Sequence, residues 1–378
     1  MERGKLTASP TTMDPLAAYD LFFTVVAAVL GATVGSFLNV CIYRLPLDLS
    51  VNEPRRSFCP SCKKQIPWHQ NLPLLSWLSL RGRCANCGSR IAFRYFLVEL
   101  LTALLFLAVW RSFPWQTALA YWVLVSLLIV ATFIDFEHFI IPDEITLGGA
   151  AAGIVASFII PELMMTDVRW EALLWSIGSA VLGYGLLWFV LEAGKLAFGK
   201  KKIRLEAPTP FTWSRNGDDA DFVVGEERGL WSDNFAREKD QLFLQCDSAV
   251  LDGRDLGAST LRFHYNRVTI GQEEIQLDRV TTITGVVREL QIPREAMGRG
   301  DLKFLAAIGA FLGWRAVLFS VFAGSLLGSL VGVGTMLIGK RVWSAKLPFG
   351  PYLAAGALVW MFFGEALLLW YLVQLSSP

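Results

Sequence analysis

The chain is 378 residues long and 54% hydrophobic, with a mean hydropathy of +0.45. A water-soluble domain is about 45–50% apolar even with glycine counted, so an ordinary soluble fold is excluded. The net charge of +1 carries no information by itself; its distribution does, and no nucleic-acid partner is expected.

The apolar residues fall in runs. Residues 21–43, 115–134, 172–194, 316–339 and 349–374 are each almost free of charge. Each is long enough to cross ~30 Å of hydrocarbon as a helix of ~20 residues. Residues 95–111 and 144–161 are shorter candidates, and 302–313 is a half-length segment ending at Gly313-Trp314-Arg315. The chain therefore reads as an α-helical polytopic membrane protein with about eight membrane segments. The first run is too long, and too far from a small-residue cleavage site, for a removable signal peptide. Residues 1–43 read as an outside tail and a retained first span.

Loop 44–94 carries Arg44, Arg55, Arg56, Lys63, Lys64, Arg81, Arg83, Arg90 and Arg94 against only Asp48 and Glu53. The positive-inside rule places it in the cytoplasm. Counting onward, loops 112–114, 162–171 and 313–315 fall outside, the basic stretches 195–204 and 340–346 fall inside, and both termini are outside. The same loop holds Cys59-Pro-Ser-Cys62 and Cys84-Ala-Asn-Cys87. Two tight thiol pairs suit a tetrahedral Zn²⁺ with no open position, which makes the metal structural. Thiols stay reduced in the cytoplasm, so two disulfides are not expected. Cys41 and Cys246 read as small buried hydrophobes.

Residues 95–202 form membrane helices. Acids in or beside such helices are costly and default to functional hypotheses. Glu99 is accounted for by snorkelling or by pairing with Arg94. Asp135 ends an apolar run in Phe133-Ile-Asp135-Phe-Glu-His-Phe-Ile-Ile-Pro-Asp143. Asp143 follows a proline and reads as a helix cap.

Residues 203–293 change character, with Asp, Glu and Arg throughout and no long apolar run. Thr260–Ile270 and Glu274–Thr284 alternate apolar and polar residues, the period of half-buried strands. Residues 213–240 read as loop. The expectation is a small β-rich cytoplasmic insert, either a module that recruits a partner or a tolerated insertion of no consequence.

Residues 294–378 carry Gly298-Arg-Gly300-Asp301-Leu-Lys303 and the last membrane helices. Charge counting puts Asp135 and Asp301 at one depth on the cytoplasmic side. Two adjacent carboxylates share a proton, so one serves as base and the other as acid. Gly298 and Gly300 would let a backbone approach closely. The bland alternatives are a helix cap at Asp301 and a satisfied interfacial acid at Asp135.

Gly35-Ser-Phe-Leu-Asn-Val-Cys-Ile-Tyr-Arg-Leu-Pro46 resembles the start of the bifunctional type IV prepilin peptidases. The paired Cys-x-x-Cys loop with Asn71, Ser76-Trp77-Leu78 and Arg94-Tyr-Phe-Leu-Val-Glu99 resembles that family's cytoplasmic loop. Phe133–Asp143, Glu295–Lys303 and Leu347-Pro-Phe-Gly-Pro-Tyr352 resemble its two aspartate segments and the entry to its last helix. The resemblance departs at Arg299, where the family has a small residue, and at the insert, which typical members lack. It implies an inner-membrane aspartyl peptidase with Asp135 and Asp301 as catalytic pair, supported by Gly298, Gly300, Lys303 and Asp143. It also implies methylation of the new N-terminus from S-adenosylmethionine, while the structural Zn²⁺ on Cys59, Cys62, Cys84 and Cys87 rests on the cysteine spacing. The implied partners are prepilins or type II secretion pseudopilins, assembly machinery, and membrane lipid. No Gly-x-Gly-x-x-Gly after a strand identifies donor-binding residues. Two rival readings are a non-enzymatic membrane anchor and a presenilin-type intramembrane protease; the cysteine loop and Gly-Ser-Phe-Leu-Asn speak against the latter.

Overall fold

The computed structural model describes residues 15–53, 57–59, 61–198, 200–216, 219–225, 227–231, 241–293, 298–337 and 347–376. The basic stretch 340–346 and residues 295–297 of the second aspartate segment lie outside them. The chain divides into two compact units: Met1–Leu187 with Gly298–Pro378, and Trp188–Met297.

The first unit is helical: α1 (Pro15–Arg44), the short α2 (Leu75–Ser79), α3 (Phe93–Ser112), α4 (Trp115–His138), α5 (Asp143–Ile159), α6 (Arg169–Phe198), α7 (Arg299–Leu337) and α8 (Gly350–Ser376). The second unit begins within α6. The described parts of all eight expected segments are helical; 302–313 and the stretch from 316 onward are two helical segments that meet without a loop at a non-helical kink at Gly313, and both are labelled α7. Six helices are long and apolar enough to cross a membrane; α5, at 17 residues, is not among them. Large apolar side chains such as Phe22, Leu174, Phe322 and Trp370 face outward while Thr102, Ser157 and Ser176 are buried. That inversion of the soluble pattern suits lipid as solvent.

The break in α7 has a physical cause. Gly313 adopts φ 79°, ψ 175° inside the helix, a left-handed φ that favours glycine. A departure there deprives the carbonyl of Ala310 of its i+4 donor. The hydroxyls of Ser157 and Ser176 donate to that oxygen instead, at 3.0 and 2.8 Å, as a broken helix in lipid requires. α1 and α3 run antiparallel. Arg111 of α3 pairs with Asp20 of α1 at 2.5 Å at one end, and Asn39 donates to the Tyr95 carbonyl at the other. Gly31 and Gly35 bring the two helices so close that a Cβ would lie 2.8 Å from Ala103 Cα and 2.7 Å from Glu99 Cα, the small-residue packing of membrane helices.

The second unit is an eight-stranded antiparallel sheet: β1 (Lys200–Asn216), β2 (Asp219–Val224), β3 (Glu227–Leu230), β4 (Leu242–Leu251), β5 (Arg254–Phe263), β6 (Arg267–Ile270), β7 (Glu273–Gln276) and β8 (Thr282–Pro293). The order is β3-β2-β1-β8-β4-β5-β6-β7. β8 closes between β1 and β4, with Lys200 opposite Pro293. The stretch expected as loop forms the end of β1 and all of β2 and β3 up to residue 230; residues 232–240 lie outside the described residues. Phe222, Trp231 and Phe263 anchor the core, with ring centroids 5.4 and 5.1 Å from Trp231, and the Trp231 indole donates to the Tyr265 carbonyl at 3.0 Å. Trp231→Ala is expected to destabilise this unit by about 3–5 kcal/mol. Limited proteolysis of the full chain should then cut within 200–293 far faster than in wild type, and an unchanged pattern would contradict this core.

Candidate active site and metal centre

Four helix ends meet at one end of the helical unit. The last turn of α4 carries Asp135, 5% exposed, and the first turn of α7 carries Asp301, 7% exposed. The two carboxylates are near enough for the charge on Asp135 to act on Asp301. Oδ2 of Asp135 accepts the backbone N–H of Gly350 at 2.8 Å. Gly350 is the first residue of α8, where N–H groups lack intrahelical partners and the helix dipole is positive.

Two glycines make the convergence possible. A Cβ on Gly350 would lie 2.7 Å from Asp135 Oδ2 and 3.0 Å from Ile141 Cδ1, and one on Gly300 would lie 3.1–3.2 Å from the Cβ, N and O of Ile141. Ile141 is thus wedged between the starts of α7 and α8. Gly298 is roomier, with its Cβ position 3.5 Å from Asp301 Oδ2. Asp143 does not cap α5 as expected. Pro142 holds the cap position, Asp143 is the first helical residue, and its carboxylate accepts from Lys303 Nζ at 2.6 Å. That pair clasps α5 to α7 beside Asp301. Glu99 does not pair with Arg94 either: Arg94 binds Glu137 in the last turn of α4, while Glu99 is buried and accepts the Leu74 N–H at 2.7 Å. Sequence reasoning missed Gly350 and Ile141; the Gly350-Pro351 pair at a helix start was the available signal.

The four thiols come together. Cys59, Cys62, Cys84 and Cys87 place their sulfurs within 4.8 Å of one another. Each pair sits on the same small turn: Cys59 N–H donates to Lys64 O and Lys63 N–H to Cys59 O, while Cys84 N–H donates to Ser89 O and Gly88 N–H to Cys84 O, all at 2.8–3.0 Å. Lys63 (φ 58°) and Gly88 (φ 70°) take matching left-handed positions. The backbone N–H of Cys62 holds the Cys59 thiol down at about 6, and the Ser89 hydroxyl lowers Cys87. The Lys64 N–H favours the Cys62 thiolate too, but burial and the neighbouring thiols outweigh it and push Cys62 up to about 11. Four thiols this close do not ionise together without a cation among them. With metal–sulfur bonds of ~2.3 Å, tetrahedral sulfurs stand about 3.8 Å apart, so the cluster can hold a metal.

The model of the Bacterial Peptidase A24 N-terminal domain matches residues 29–113, and that of the Type IV leader peptidase family matches 122–203 and 280–333. The chain belongs to the type IV leader peptidase family. A prepilin leader peptidase/N-methyltransferase of Myxococcus xanthus is 43% identical over 205 residues, 54% of this chain and 59% of its own. One from Aeromonas hydrophila is 29% identical over 94% of this chain and 95% of its own, and one from Pseudomonas aeruginosa 26% over 95% and 97%. No solved structure matches. Within the leader-peptidase segments Asp135 falls in the first match and Asp301 in the second, and all four cysteines fall in the N-terminal match. Residues 204–279, between the two matched segments, hold most of the sheet.

The Gly350 contact gives a prediction for this leader-peptidase site. Gly350→Ala drives a methyl group into the Asp135 carboxylate, and leader cleavage should fall by about ten- to a hundredfold through kcat. Wild-type kcat in that variant would remove Gly350 from the site.

Proposed function

We propose that this protein is a multi-pass enzyme of the bacterial inner membrane, with about eight membrane segments, that cleaves the leaders of type IV prepilins or type II secretion pseudopilins at the cytoplasmic face and methylates the new N-terminus. The observation that carries the reading is the meeting of two buried acids, Asp135 and Asp301, at the helix ends beside the cysteine loop. Asp135, whose carboxylate accepts the Gly350 N–H, is assigned as the base. It takes a proton from water as the water oxygen bonds to the scissile carbonyl carbon. Asp301 is the acid: it donates a hydrogen bond to the carbonyl oxygen and its proton offsets the charge that develops there. The amine then leaves with the proton that Asp135 collected. Lys303 and Asp143 fix the start of α7 against α5, and Gly298 and Gly300 keep the approach to Asp301 free of side chains.

The four cysteines would hold Zn²⁺ as a structural ion. S-adenosylmethionine, when bound, supplies the methyl group. The relatives' names favour neither the anchor reading nor the presenilin-type one. Incubating the purified protein with a prepilin of the same cell tests the reading by mass spectrometry. The leader should be lost and one methyl group gained; an intact prepilin would refute it.

A further inference from the structure

Between the cysteine loop and the ends of α1, α3 and α4 lies a cavity of about 600 Å³, within the ~300–1,000 Å³ typical of small-molecule sites. Leader cleavage as derived above uses none of its residues. Its wall runs from Cys59 and Cys84, past Asn39 and Glu99, to Glu137 and His138, the residues that follow Asp135 on α4.

Two acceptors in that wall have no cation. Glu99 is 9% exposed, and its carboxylate receives the Leu74 N–H and the Ser36 hydroxyl. Arg94, the basic residue nearest to it along α3, is bound to Glu137, and among the described residues none forms an ion pair with Glu99. Leu74 is held at φ 62° to make its contact, a conformation a branched apolar residue adopts only under constraint. Asn39 is 2% exposed. Its Nδ2 donates to Gly35 O and Tyr95 O at 3.3 and 3.0 Å, which leaves Oδ1 buried with no partner. Gly35, in contact with Glu99, puts both acceptors on the same seam of α1 and α3. Arg44, Arg90 and Arg94 line the same cavity, but among the described residues none forms an ion pair with Glu99; a buried carboxylate beside an orphan carbonyl is expensive and is relieved by a bound cation.

We propose that methyl transfer takes place in this cavity, where Glu99 and Asn39 receive a compact organic cation of the reacting pair. That cation is the ammonium of the freshly cut N-terminus or the sulfonium of the donor. The assignment rests on the reading that this protein methylates what it cuts. The nitrogen first gives up a proton, to the Glu99 carboxylate or to water. Its lone pair then forms the N–C bond as the S–C bond breaks, and the bonding pair stays on sulfur in a neutral thioether. The wall shared with α4 places this step beside the residue that frees the amine.

Glu99→Gln tests it, because glutamine keeps the volume and can still accept the Leu74 N–H while losing the charge. Methylation of cleaved prepilin should fall by about a hundredfold or more, with cleavage and metal content showing that the variant is folded. Two binding comparisons read the cation directly: S-adenosylmethionine against uncharged S-adenosylhomocysteine, and a mature N-terminal peptide against its N-acetylated form. Loss of the first preference in the variant assigns the sulfonium to Glu99, and loss of the second assigns the ammonium. Wild-type methylation with both preferences unaltered overturns the proposal. A wild-type protein that cleaves but neither methylates nor binds the donor overturns the methyltransferase reading itself. Should Glu99→Gln not fold, Ala92→Trp fills the cavity from an exposed position in its wall; it should abolish donor binding, and unchanged binding again overturns the proposal.

Discussion

Asp135→Asn and Asp301→Asn should each lower leader cleavage about a thousandfold, the scale on which general acid–base residues act. Asparagine at 135 can still accept the Gly350 N–H, so the helix ends stay together, but it cannot collect a proton from water. Asparagine at 301 fills the same space and has no acidic proton to lend. The double variant should be hardly worse than either single one, since half a proton-sharing pair does little alone. Asp143→Asn provides the internal comparison. It weakens a single ion pair with Lys303, in which the Asp143 side chain is 60% exposed, and exposed pairs contribute only about 0–1 kcal/mol. Its turnover should stay within a fewfold of wild type. Single-turnover cleavage in detergent measures all four variants. Near-normal Asp135→Asn together with a dead Asp143→Asn would move the first catalytic acid to residue 143.

Metal removal should have the second largest effect. Structural zinc on such ligand sets contributes about 10–16 kcal/mol of folding free energy near neutral pH, and the loop around Cys59, Cys62, Cys84 and Cys87 has little else to order it. Elemental analysis should find one zinc per chain. A chelator strong enough to strip it should expose all four thiols to maleimide and abolish methyl transfer, whose cavity the loop walls. Cleavage should outlast methylation, because no thiol touches Asp135 or Asp301. Falling pH should act as the chelator does: protons compete for thiolates, so zinc is held at neutral pH and released as the medium acidifies. Complete maleimide labelling of the native, unchelated protein would refute the site.

Much of this was legible in residues. The two Cys-x-x-Cys pairs encode the cluster because spacing alone closes each turn, and Asp135 and Asp301 were found together because charge asymmetry fixed their depth. The Gly350 contact was not legible, since it joins a backbone N–H to a carboxylate 215 residues away and a backbone donor has no signature of its own. Asp143 was read as a cap because it follows a proline; a partner 160 positions off, Lys303, took its carboxylate instead. The two segments of α7 read as separate helices because Gly313-Trp314-Arg315 looks like a turn; the backbone does leave the helix at Gly313, as a kink rather than a loop, with buried hydroxyls from α5 and α6 taking up the Ala310 carbonyl. In the sheet the period of two was visible, but not where it stops. Thr260–Ile270 contains a reversal at residues 264–266, between β5 and β6, and Glu274–Thr284 spans a 3-10 turn at Leu277–Arg279.

The pairing of Lys200 with Pro293 makes the sheet a cassette. Antiparallel partners stand only about 4.5–5.5 Å apart, so the polypeptide departs and returns through one gap, and a recombination event could add or remove the whole sheet without stretching what remains. A laboratory excision should be equally mild: replacing residues 206–290 by a short Gly-Ser linker should leave the helices folded and kcat for cleavage intact. If the cassette recruits prepilin, its loss appears as a KM raised about tenfold or more, whereas an unchanged KM with normal pilus assembly would mark it as cargo that the enzyme carries without using.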